Sequence, residues 1–177
     1  IEQGVEVIPV LNKIDLPSAD AGKAIQEIED VIGIPAQEAI RASAKTGEGI
    51  DELLKAIVDR VPAPKGDPDA PAQALIFDSM FDAYVGAVAY VRMFTGSIAK
   101  GQKIRVFSNE RQFEVGDIGW FRLARISQKG LSAGEVGYIA TGAKDVRHVR
   151  VGDTITLAET PCAAPWPGYA EAKPMVF

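Results

Sequence analysis

Residues 62–71, Pro-Ala-Pro-Lys-Gly-Asp-Pro-Asp-Ala-Pro, place four prolines in ten positions, and no regular element runs through them. Proline fixes φ and lacks the backbone N–H, so neither a helix interior nor a central strand tolerates it. The stretch reads as a semi-rigid extended spacer. It divides the 177 residues into two parts of different texture, each able to bury a core.

The first part alternates strands and helices. Residues 7–11 form a continuous apolar run, as in a strand buried on both faces of a parallel sheet. Asp20 stands where a helix N-cap belongs, ahead of an apolar stripe of Ile25, Ile28, Val31 and Ile32 that Gly33 and Pro35 close. A second short strand begins at Ile40. After the turn Thr46-Gly47-Glu48-Gly49, residues Ile50, Leu53, Leu54, Ile57, Val58 and Val61 trace one helix face. The result is a β–α–β–α tail of a doubly wound fold.

Both strands run into polar loops with chemical content. The first ends in Asn12-Lys13-Ile14-Asp15, which resembles the guanine-reading motif of GTP-binding proteins. The two oxygens of Asp15 suit the ring N–H and exocyclic amine of guanine, a bidentate charge-assisted pair. Adenine has no donor at that ring nitrogen, and a site left unpaired in this way rejects the wrong ligand by ~10⁴-fold or more. Asn12 would bond the base edge and the neighbouring loop. The Lys13 stem would lie on the ring with its ammonium in solvent. The plainer alternative is a turn closing a buried strand, given Leu16-Pro17-Ser18 just after it. Ligands of open α/β sheets bind beyond such strand ends, and the second strand delivers Ser43-Ala44-Lys45.

No Gly-x-x-x-x-Gly-Lys-Ser/Thr loop to cradle phosphates occurs, and no Asp-x-x-Gly precedes the Asn-Lys motif to position magnesium. The chain opens on Ile1. The expectation is a piece of a longer protein that does not hydrolyse nucleotide alone and binds it only weakly, through the base.

From Ala72 to about Ala158 the texture is β-rich. Runs at 74–77, 85–94, 103–107, 113–115, 119–126, 135–141 and 153–157 are punctuated by turns at Thr95-Gly96, Lys100-Gly101, Lys129-Gly130 and Val151-Gly152-Asp153. Short, regularly spaced strands predict a small antiparallel barrel. Trp120, Phe121, Phe77 and Phe81 are expected in core and interdomain packing. Residues 166–177 restart a strand-like pattern.

The net charge of −5 lies entirely in residues 1–65, whereas 98–150 hold ten basic against five acidic side chains. Lys100, Lys103, Arg105, Arg147 and Arg150 are candidate contacts to RNA phosphate, the alternative being a solvated barrel surface. His148 has no second His or Cys nearby to share a metal. Cys162 is the only cysteine, so no internal disulfide forms, and it reads as inert. No run of eighteen apolar residues occurs.

These stretches together resemble the LepA (elongation factor 4) family of translational GTPases. The residues that carry the resemblance are 12–17, 43–47, Phe77-Asp78-Ser79-Met80-Phe81-Asp82, 86–96, Val151-Gly152-Asp153-Thr154, Gly168-Tyr169 and Lys173-Pro174-Met175-Val176-Phe177. The resemblance implies the α/β end of a P-loop-type GTPase domain (1–61), a linker (62–71), the antiparallel β-barrel of translation-factor domain II (72–160) and the start of domain III (161–177). It implies GTP or GDP as ligand, with Asn12, Lys13, Asp15, Ser43, Ala44 and Lys45 at the guanine base. The Ala44 N–H would meet the base oxygen and the Lys45 stem would cover a ring face. Magnesium ligands, phosphate loop and switch residues have no counterpart here. Also implied are ribosome-dependent GTP hydrolysis tied to back-translocation or fidelity, and docking of domain II on small-subunit RNA and protein. A monomer in the cytoplasm, peripheral to the inner membrane in bacteria or organellar, completes the expectation. Two alternatives stay open: a non-catalytic RNA- or protein-binding barrel, and a GTPase of the elongation factor G or BipA type.

Overall fold

The computed structural model describes residues 5–167, and the chain divides into two compact units, Ile1–Ala63 and Pro64–Phe177. In the first, β1 (Val10–Leu11) and β2 (Ile40–Arg41) pair in parallel, Val10 opposite Ile40. Parallel neighbours need a crossover, supplied by α1 (Ala21–Glu27) and a π-helical turn over Ile28–Ile32. Asp20 caps α1, its Oδ1 accepting from the Lys23 N–H at 3.0 Å. Gly33 ends the turn at φ 74, a left-handed conformation open to glycine without steric cost.

The core here is small: Leu11, Ile25 and Ala36, with Ile28 and three alanines against them. The expected stripe is therefore only partly buried. Val31 is 82% exposed and Ile32 55%, because a ladder two residues long covers only the first turns. The wider π turn also swings Val31 further from the Ile25 face. α2 (Ile50–Arg60) forms where its period placed it, yet none of its residues is buried. Leu54, Ile57 and Val58 are exposed, as is Val61 just beyond.

The second unit is an antiparallel barrel. Its strands are β3 (Gln73–Asp82), β4 (Gly86–Thr95), β5 (Ser97–Ala99), β6 (Lys103–Val106), β7 (Gln112–Glu114), β8 (Asp117–Arg122), β9 (Ala124–Ser127), β10 (Gly130–Ser132), β11 (Val136–Ala140) and β12 (Thr154–Leu157). Eight of them order as β7-β6-β12-β3-β4-β11-β8-β9, and β5 pairs with β10 apart from them. Only Val115 and Gly116 separate β7 from β8. The Val115 N–H donates to Gln102 O at 2.9 Å and the Gly116 N–H to Ala140 O at 3.0 Å. One extended segment thus runs from β7, at one end of the sheet, into β8, next to the other end, and closes the ring. Alternate residues point inward and fill it: Ile76, Val91, Met93, Ile98, Ile104, Ile118, Leu131, Ile139 and Ile155 are all buried. Each such side chain contributes about 1.5–3 kcal/mol over leaving it exposed.

Four expectations change. The run at 119–126 is a hairpin rather than one strand: β8 and β9 pair back to back, Arg122 opposite Ala124, around Leu123 at φ 51. Gly130 begins β10 instead of making a turn. Phe77, Phe81, Trp120 and Phe121 are not core; all four are at least one-third exposed. Tyr90 stands between two of them, 6.5 Å from Phe77 and 5.5 Å from Phe121 by ring centroids. The proline-rich stretch, finally, is no free spacer from Pro64 onward. The Gly96 N–H donates to Asp67 O at 2.8 Å, and Thr95 Oγ1 to Pro71 O at 2.7 Å.

Residues 161–167 also run along the barrel. The Cys162 N–H donates to Thr156 Oγ1 and the Trp166 N–H to Thr154 Oγ1, both at 2.9 Å. The Trp166 ring stacks on Phe94 at 3.8 Å. The rest of the strand-like pattern, with Gly168-Tyr169 and 173–177, lies outside the described residues.

One polar cluster ties β8, β9 and β11 together. Asp117 accepts from Tyr138 Oη at 2.6 Å, Ser127 Oγ at 2.5 Å and Lys100 Nζ at 3.2 Å. Burial alone would raise the Asp117 carboxyl; the two hydroxyls and the ammonium outweigh it and hold the group below its ordinary range. Burial, then the Asp117 carboxylate, push Tyr138 up to about 12. A depressed carboxyl stabilises the fold above its unfolded pKa and loses that contribution as pH falls through the folded value. A raised phenol does so below about 10 and loses it as pH climbs towards 12. Melting temperature should therefore decline below about pH 4 and again above about pH 10, and Asp117→Asn should flatten the acid limb. An unaltered acid limb in that variant would remove Asp117 from the account.

Candidate functional site

The two loops that leave β1 and β2 meet. Parallel neighbours end side by side, and the Ala42 N–H donates to Leu11 O at 2.8 Å, so residues 12–15 and 43–45 emerge together. Ser43 is fully buried and Asp15 half-buried. Ser43 Oγ donates to Asp15 Oδ1 at 2.7 Å while accepting from the Thr46 N–H at 3.2 Å. That second bond fixes the hydroxyl proton toward Asp15. One carboxylate oxygen is thereby braced, and the bond is charge-assisted.

Asn12 joins the loops a second time. Its Oδ1 accepts from the Lys13 N–H at 2.8 Å and from the Ala44 N–H at 3.2 Å. The Ala44 N–H expected to meet a base oxygen therefore points at Asn12. Lys13 sits at φ 67, uncommon for a residue with a side chain, and the Asn12 carbonyl oxygen holds it there. Lys13 and Lys45 are both exposed, one on each loop. All six residues expected at the base are brought to one end of the β1–β2 pair. Sequence reading missed the Ser43–Asp15 bond; the hydroxyl was visible, but nothing in the spacing of 28 residues says the two touch.

The five basic candidates do not form one constellation. Lys100 pairs with Asp117 at 3.2 Å, Arg105 with Glu110 at 2.6 Å and Arg147 with Asp145 at 2.6 Å. The Arg147 guanidinium, then its N–H, hold the Asp145 carboxyl down to about 2. Arg150 Nε donates to Arg147 O at 3.2 Å, and Lys103 is exposed at the start of β6. The His148 ring stacks near Phe113, 6.3 Å between centroids. Among the described residues no group of three or more His, Cys, Asp or Glu could hold a metal ion, and none of their helices is long and apolar enough to cross a membrane.

The family model described as Elongation factor Tu GTP binding domain matches residues 1–63, and that of Elongation factor Tu domain 2 matches residues 86–156. The solved elongation factor SelB of Methanococcus maripaludis, apo form, shares the fold with a TM-score of 0.67 at 21% identity. That likeness covers 86% of this chain and 34% of SelB. In this order, a GTP-binding-domain segment and a domain-2 barrel define a stretch of an elongation-factor-type GTPase. The protein named elongation factor 4 in Thermus thermophilus is 50% identical over all of this chain and 29% of its own length. That of Desulfitobacterium hafniense is 54% identical over all of this chain and 30% of its own length. Over its whole length the chain is similar to these elongation factor 4 proteins, and it spans about 30% of the length of these curated relatives.

Proposed function

We propose that this chain is the guanine-reading and ribosome-docking middle of a translational GTPase. In the full-length protein it would act in GTP hydrolysis on the ribosome, coupled to back-translocation or fidelity. The observation that carries the reading is the pair of bonds joining Asp15 to Ser43 and Asn12 to Ala44, which preorganises acceptors for a base. Asp15 would accept from the ring N–H and amine of guanine. Adenine, with an acceptor at that ring position, would leave the carboxylate facing a lone pair. Lys13 and Lys45 would cover the ring faces with their stems. GTP and GDP are the ligands that fit these residues. Magnesium would neutralise phosphate charge in such chemistry; among the described residues no group of three or more His, Cys, Asp or Glu could hold it.

The exposed apolar face of α2, together with relatives more than three times as long as this chain, supports a larger GTPase domain around the first unit. The domain division 1–61, 62–71, 72–160 and 161–177 is part of the proposal, with 161–167 packed on the barrel. So is contact of the barrel with small-subunit RNA and protein through Lys103 and Arg150, with Lys100, Arg105 and Arg147 freed by exchanging a carboxylate for phosphate. A monomeric, cytoplasmic protein with peripheral membrane association in bacteria completes it. The test is GTP hydrolysis by the full-length protein with and without ribosomes. Stimulation of at least about tenfold is expected, a threshold set well below the roughly 10³–10⁵-fold that an activating arginine adds to such sites. Hydrolysis indifferent to ribosomes would discard the translational role and keep the GTPase.

A further inference from the structure

The loop that carries Ser43, Ala44 and Lys45 leaves β2 after Ala42 and returns to the same strand. At its far end Gly49 lies against the backbone of Arg41, at φ 71. A Cβ built on Gly49 would overlap the Arg41 carbonyl oxygen and sit 3.0 Å from the carbonyl carbon and 3.1 Å from the Ala42 Cα. All three obstacles are backbone, so no side chain can turn aside. Between its two ends the loop is cross-braced: the Ser43 N–H donates to Glu48 O at 2.9 Å and the Gly47 N–H to Ser43 O at 2.8 Å. These bonds couple the Gly49 end of the loop to Ser43.

We propose that Gly49 is a positioning residue of the guanine site: its missing side chain sets how close the Ser43–Lys45 loop lies to Asp15 and Asn12. The inference rests on the guanine-site reading above. Real Cβ atoms stay 3.0 Å or more from such neighbours, so any side chain lifts this end of the loop by roughly 1 Å, a misplacement that costs positioned groups up to about 10²-fold. The lift stretches the 2.7 Å bond from Ser43 to Asp15 and frees the carboxylate to turn away from the amine of guanine.

Gly47 provides the internal control. It lies two residues away at φ 86, and a Cβ built on it meets nothing within 4 Å. Alanine at either position bears the same left-handed strain, but only at Gly49 does it strike β2. The experiment measures binding of GDP and of inosine diphosphate to the full-length protein and to Gly49→Ala and Gly47→Ala, with a thermal melt of each. Inosine keeps the ring N–H and 6-oxygen and lacks only the amine that Asp15 reads. In Gly49→Ala the preference for GDP over inosine diphosphate should fall at least about fivefold, while Gly47→Ala retains it; one bond to a charged group is worth about that or more. An unchanged preference in Gly49→Ala, an equal fall in both variants, or a Gly49→Ala protein without a cooperative melt would each overturn the assignment. A wild-type protein with no preference for GDP would instead sink the guanine-site reading, and the inference with it.

Discussion

Replacing Asp15 by Asn in the full-length protein should lower its affinity for GDP on the order of 10³-fold and create a preference for xanthosine diphosphate. The proton of Ser43 decides which way the new amide faces. Because Ser43 Oγ accepts from the Thr46 N–H, its own hydrogen points at the Oδ1 position of residue 15. An amide placed there would turn its carbonyl oxygen to that hydrogen and its nitrogen to the outer position. The exocyclic amine of guanine would then face another donor, and sites that leave a polar group unpaired reject a ligand by as much as ~10⁴-fold. Xanthine carries an oxygen where guanine has the amine, and that oxygen accepts from the new N–H. Half-burial of Asp15 places the loss below the ~10⁴-fold of a fully enclosed site. Competition binding with the two diphosphates decides it: an unchanged preference for guanine would remove Asp15 from base reading.

The second large effect concerns the barrel. Ile139 is fully buried at the centre of the sheet, its backbone opposite Ala89 on β4 and Ile118 on β8. Ile139→Ala removes three carbons from a closed ring whose neighbours are strands on both sides, so collapse into the void is limited. The loss should lie towards the upper end of the roughly 2–5 kcal/mol seen for such truncations. With about 4–8 °C per kcal/mol for a domain of this size, a fall of roughly 15 °C or more in the barrel's melting temperature is expected. A fall under about 5 °C, the scale of a single kcal/mol, would mean that the ring closes around the gap and that Ile139 is not central to it.

How much of this was legible in the sequence depends on whether the signal was local. The two loops were legible because each is a short motif at the end of an apolar strand. Parallel pairing then brings their ends together without further information. Most barrel strands announced themselves through alternation and glycine turns, Gly96, Gly101 and Gly152 all sitting at positive φ. The β8–β9 hairpin did not, because its turn is made by Leu123, with no glycine, proline or asparagine to mark it. The aromatics misled for a related reason. Composition says that Phe77 and Phe121 are apolar, while the pleat decides which side of the wall they occupy, and in both cases it is the outside. Likewise the stripe on α2 encodes a face to be covered but not what covers it. Gly49 was readable as a turn residue and no more, since its meaning lies in the carbonyl of Arg41 across the loop.

The pairing of β12 with β3 sets how the barrel responds to force. Thr154 lies opposite Leu75 and Ile155 opposite Ala74, so the first strand of the barrel begins where the last one ends, and both flanks leave from one seam. Tension carried along the polypeptide through those flanks would peel the seam open one hydrogen bond at a time instead of shearing the whole ladder at once. The same adjacency lets the barrel sit in a longer chain as a self-contained bead, entered and left at a single point, so the segments before and after it can stay close neighbours however the bead itself is turned.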